Sequence, residues 1–193
     1  MRRLILALAG MLLLSNSAVA QDGVPDLRAT AVGRPLAAAL DTCGIQVIRH
    51  SMPKGIGGLW LDTKHLIILA QDLEGSEATL VLAHESTHAA RTCAGLTPPQ
   101  PADVEARPAW IDAMLDEEAE ALVTEASMAA ELISGGVEDA REAAARRPFV
   151  DPLLAMLVDG VPRAQVRAAA RHAIEQTTYR KYYESLFSLS AAR

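Results

Sequence analysis

The sequence lacks a membrane-length apolar run, has only two cysteines, is short of basic residues and carries no block of like charge. Each shortage excludes something. The apolar stretch at residues 4–14 falls well below the roughly 20 residues a membrane helix needs, and no stop-transfer segment follows it. Arg2 and Arg3 precede that stretch and Ala18-Val19-Ala20 follows it. Residues 1–20 therefore read as a cleaved secretory signal rather than an anchor, with Gln21 as the expected mature start. No cysteine directly follows the apolar run, which argues against a lipid-anchored product. The expected location is periplasmic or secreted.

Residues 1–20 hold two of the 18 basic residues and no acid. The exported portion thus has 16 basic against 24 acidic residues, a formal charge of −8. Such a surface repels phosphate backbones, so nucleic acid is not an expected partner. Residues 21–193 are the length of one domain with a core of its own, and no internal repeat divides them. Cys43 and Cys93 both lie in this portion. In an oxidising compartment a lone pair is expected to form a structural disulfide, the rivals being two free thiols or a thiolate metal ligand.

Helical material is expected over 26–42, interrupted near Gly33 and Pro35. IQVIRH (45–50) reads as a short strand. LWL and LIILA read as a hairpin across Asp62-Thr63-Lys64. Ser76 is a plausible N-cap for a helix over about 77–93, which Gly95 and the following prolines stop. A proline-rich loop (96–108) leads to a second long helix over about 109–134, a short polar helix at 138–147 and a helical tail. The pattern is α+β: a small antiparallel sheet beside several helices.

The stretch LVLAHESTHAARTC (80–93) places His84 and His88 four residues apart on a helix, hence on one face, where both rings can reach one cation. Glu85 lies about 100° around the helix from His84, which suits a carboxylate facing a metal-activated water rather than the metal. Such a glutamate can take the water's proton and return it to a leaving group. Two core histidines satisfied by backbone oxygens are the plain alternative. The third ligand could come from Cys43, Cys93, His50, His65, His172 or an acid of the next helix. On a helical wheel of 111–132, Glu118 falls among Ile111, Leu115 and Leu122, while Glu117 and Glu120 point elsewhere. A carboxylate facing a core is costly unless it is paired or bound to a metal. Glu118 is therefore the expected third ligand, ahead of Glu125, Glu117 and Asp116. Small Ala119 and Ala121 beside it let the two helices approach closely.

HESTH on one helix and E-A-E-A (118–121) on the next resemble small bacterial metallopeptidase domains of the zincin, glutamate-ligand type. These pair a His-Glu-x-x-His helix with a downstream Glu-Ala-Asp-Ala segment. The resemblance covers about residues 56–132, and Glu120 stands where the family has aspartate. It implies a minimal zincin-like core, one Zn²⁺ per chain held by His84, His88 and Glu118, and Glu85 as general base. It also implies a peptide or protein substrate, with LIILA or its hairpin partner as an edge strand lining the cleft. His172, Tyr179, Tyr182 and Tyr183 are candidate stabilisers of the developing oxyanion, and none is assigned. The expected function is exported, zinc-dependent peptide-bond hydrolysis. The alternative is a non-enzymatic binding or chaperone-like module with a structural or degenerate metal site.

Overall fold

The computed structural model describes residues 23–101, 103–177 and 179–190, with side chains to residue 185. The expected signal at 1–20 lies outside the described residues. After a short 3-10 turn at Leu27–Ala29 come α1 (Gly33–Thr42), β1 (Gln46–His50), β2 (Gly58–Leu61) and β3 (Leu66–Ala70). The long helices α2 (Gly75–Cys93) and α3 (Arg107–Ser134) follow. Four shorter helices complete the chain: α4 (Ala140–Ala145), α5 (Val150–Val158), α6 (Arg163–Glu175) and α7 (Tyr179–Ser190). The fold class is α+β, and among the described residues no helix is long and apolar enough to cross a membrane.

β3 is the central strand, in the order β1-β3-β2, and all five of its residues are buried. A strand covered on both faces needs an unbroken apolar run, and LIILA supplies one. β2 pairs with it as an antiparallel hairpin, Trp60 opposite Ile67, across a single 3-10 turn at Asp62–Lys64. β1 instead runs parallel to β3, Ile48 opposite Ile68. The sheet is thus mixed rather than wholly antiparallel. IQVIRH looks the same in either direction. Its direction is set by the loop at 51–57, which carries the chain past β3 so that β2 starts on the far side.

α2 packs on this sheet and α3 packs on α2, with α5 and α6 behind α3. α3 buries residues around most of its circumference, from Ile111 and Leu115 to Ala119, Ala121, Leu122, Val123 and Ala126. A helix enclosed on nearly every side has no polar face to spare, so any carboxylate on it needs a partner.

Both ends of α2 are fixed from outside the helix. Ser76 lies in its first turn rather than capping it. The cap comes from Asp139, which accepts from Ser76 N at 2.8 Å and from Ser76 Oγ at 2.5 Å. At the other end Gly95 takes a left-handed φ of 68°, and its N–H and that of Leu96 close on Thr92 and Arg91 carbonyls at 3.0 and 2.9 Å. This is the glycine stop read from the sequence. Cys93, the last residue of α2, is bonded to Cys43, with Cα atoms 6.3 Å apart across a separation of 50 residues. No cysteine is free.

Candidate metal centre

The antiparallel packing of α2 against α3 sets the site's geometry. His84 and His88 project from α2, and Glu117, Glu118 and Glu125 project from α3 to meet them. His84 Nδ1 lies 3.2 Å from Glu125 Oε2, and His88 Nδ1 lies 2.9 Å from Glu117 Oε1. An ionised carboxylate can only accept, so each Nδ1 carries the proton and donates. In the neutral rings that leaves both Nε2 atoms with lone pairs, and they face one another at 3.3 Å. Glu118 Oε2 completes the group, 3.4 Å from His84 Nε2 and 3.7 Å from His88 Nε2, with no hydrogen-bond partner of its own. His84, His88 and Glu118 are each only 7% exposed. With both rings neutral these are three buried acceptors converging on one point, and together they can hold a metal ion.

Charge gives a second measure of fit. Glu117 is held by Arg91 Nε at 3.2 Å and by Thr97 Oγ1, which donates at 2.7 Å. Glu125 is ion-paired with Arg147, from the turn between α4 and α5. Each motif histidine therefore leans on a glutamate that leans on an arginine, which fixes ring orientation and tautomer as in known metal sites. With Glu85 ionised and both imidazoles neutral, four carboxylates meet two guanidiniums, an excess of two negative charges that a divalent cation or protons on the histidines can offset. The same excess acts on His88: burial disfavours its protonated form, but Glu118 and Glu117 outweigh burial and hold its pKa well above the ordinary value. Burial likewise disfavours the charged form of Glu118, yet His88 and His84 hold its carboxyl well below the usual range.

Glu85 sits beside this group rather than in it. It is partly exposed, and its carboxylate accepts a hydrogen bond from the Trp60 N–H, on the edge of β2 that faces away from β3. Burial pushes its carboxyl above the ordinary value, and the two histidines pull in the opposite direction. Gly58 makes the approach possible. A Cβ there would lie 2.7 Å from Glu85 Cγ and from Val81 Cγ1, closer than side-chain atoms pack. The Trp60 indole donates to Thr92 Oγ1 at 3.2 Å, which fastens β2 to the end of α2.

Of the residues expected from sequence, His84, His88 and Glu118 are brought together and Glu85 stands next to them. Of the two hairpin strands, β2 lies at an edge of the sheet and LIILA is interior. Glu117, read from the helical wheel as pointing elsewhere, is instead 2% exposed and bonded to His88. A wheel drawn for one buried face fails on a helix buried most of the way round. Glu120 does point away, pairing with Arg163 at 2.5 Å and Arg167 at 3.5 Å on α6. The family-like aspartate position thus takes no part in the site. His50 and His65 bond to the Ser51 and Cys43 carbonyls, and His172 lies on α6. Tyr183 from α7 donates to Glu118 Oε1 at 2.5 Å. Burial first, then the Glu118 charge, raises the phenols of Tyr179, Tyr182 and Tyr183, so all three stay protonated donors. The chain matches no protein-family model, no curated protein and no solved structure.

Proposed function

We propose that this chain is an exported zinc-dependent peptide hydrolase whose ion is held by His84, His88 and Glu118. The observation that carries this reading is the position of Glu85. It adjoins the three convergent ligands, is more open than they are, and is tethered by the Trp60 N–H of an edge strand. Two imidazoles and one carboxylate are a donor set that catalytic zinc uses, with a fourth position left for water or substrate. When bound, zinc supplies Lewis acidity toward a carbonyl and brings the pKa of a water toward neutrality. The chain's own residues do the rest. Glu85 takes a proton from the attacking water and hands it to the departing amine nitrogen. The hydrogen bond from Trp60 keeps that carboxylate turned to one side of the ligand group. The outer edge of β2 gives an extended peptide a strand to lie along. The disulfide and the expected signal suit a periplasmic or secreted setting.

Zinc-loaded protein assayed on a broad peptide library tests the proposal, with Glu85→Gln as its partner. Turnover that vanishes in Glu85→Gln while one zinc per chain is retained supports hydrolysis. Turnover that persists in that variant removes the general base and the mechanism with it. The second reading, a binding module with a structural metal, draws on the burial of all three ligands. It predicts zinc uptake in both proteins and turnover in neither.

A further inference from the structure

The two oxygens of Glu118 are treated differently. Oε1 accepts a hydrogen bond from the Tyr183 hydroxyl at 2.5 Å. Oε2 has no hydrogen-bond partner and is the atom that faces His84 Nε2 and His88 Nε2. Tyr183 has little freedom to leave. It is 5% exposed, and its ring meets Trp110 edge-on with centroids 5.7 Å apart. Trp110 is fixed in turn, donating from Nε1 to the Pro98 carbonyl at 3.0 Å.

We infer that Tyr183 is a positioning residue that limits Glu118 to one-oxygen ligation and thereby keeps a coordination position open. The inference rests on the metal reading above. A carboxylate with both oxygens free can chelate an ion. Together with two imidazoles, a chelating glutamate would supply four donors by itself, so that a water or substrate could join only as a fifth. A short hydrogen bond from a buried phenol engages Oε1, turns Oε2 alone toward the histidines and is costly to break away from water. The C-terminal helix α7 thus acts on the centre through the unused half of a ligand, without touching the metal or a substrate.

Cobalt(II) in place of zinc reads coordination number directly, because four-coordinate Co²⁺ absorbs visible light more intensely than five-coordinate Co²⁺. The full-length exported protein and its Tyr183→Phe variant, which keeps the ring against Trp110, are titrated with Co²⁺ alone. The expected result is cobalt affinity about 10–100-fold weaker in the variant, with visible absorption per bound cobalt that falls. Loss of packing alone would lower stability and leave the absorption per bound cobalt unchanged. X-ray absorption on the wild-type cobalt protein gives a measurement that needs no variant: four nearest neighbours are expected, and five would overturn the inference. A wild type that takes up no cobalt overturns the metal reading together with this one. A wild type that binds cobalt, with a spectrum Tyr183→Phe does not alter, overturns only the role of Tyr183.

Discussion

His84 and His88 turn their Nε2 atoms toward one another at 3.3 Å while their Nδ1 atoms are held outward by Glu125 and Glu117. In that pose the two Nε2 atoms can share a proton or hold a cation between them. The proposed centre therefore predicts a graded response in metal content. Glu118→Ala should remove tight zinc binding, because it deletes a donor. Glu117→Ala and Glu125→Ala should weaken binding by about 10–100-fold without abolishing it. Metal analysis after dialysis against a competing chelator measures the series. Full zinc retention in Glu118→Ala, with loss in Glu125→Ala, would exchange their roles.

Gly58 offers a way to disturb Glu85 without altering it. In Gly58→Ala the new methyl group meets Glu85 Cγ and Val81 Cγ1 at 2.7 Å, and one of them must shift. Zinc content should stay at the wild-type value while peptide turnover falls, since displacements of about 1 Å at a reacting group can cost about 100-fold. Kinetics and metal analysis on one preparation check this, and an unimpaired turnover would show that β2 does not constrain Glu85.

The Cys43–Cys93 bond closes a loop across a separation of 50 residues. In the loop-entropy treatment such a closure stabilises by about 4 kcal/mol. Reduction should lower the thermal midpoint of the metal-loaded protein while its zinc stoichiometry stays unchanged, because neither sulfur belongs to the ligand group. Thermal unfolding with and without reductant, followed by metal analysis, decides.

Asp139 caps α2 across 63 residues of sequence, and the two hydrogen bonds from Ser76 hold its carboxyl below the ordinary value. A depressed carboxyl contributes stability that is complete above its unfolded pKa, about 3.9, and disappears as pH falls through the lower folded value. Asp139→Ala should cost about 1 kcal/mol at neutral pH, the usual worth of a cap. The difference from wild type should shrink in strong acid. Denaturant unfolding of both proteins at pH 7 and pH 3 measures it, and a difference that grows toward acid would contradict the assignment.

Local spacing carried much of this into the sequence. The four-residue interval of His84 and His88, the anomaly of Glu118 among apolar neighbours, the hairpin around Asp62-Thr63-Lys64 and the glycine stop at Gly95 all follow from helical or strand period. What the sequence hid depends on contacts between distant segments. Arg91 and Arg147 read as ordinary surface charges until α3 and the turn after α4 are in place around them. Asp139 becomes a cap only when the start of α4 lies against the start of α2. The parallel alignment of β1 depends on the path of a loop, which periodicity does not encode.

The antiparallel pairing of α2 and α3 also sets what the chain can tolerate in length. Glu117 and Glu125 lie eight residues apart, about 12 Å along the axis of α3, and each must meet its own histidine. One residue inserted between them would swing Glu125 by about 100° and take its carboxylate away from both His84 Nδ1 and Arg147. An insertion beyond Thr97 and Pro98 in the segment between the two helices, where Val104 is exposed, leaves the bonds to Glu117 and Trp110 in place and changes only how the chain travels from one helix to the other. Descendants of this sequence can therefore diverge freely in the length of that connector, while α3 between Glu117 and Glu125 admits substitution but no change in residue number.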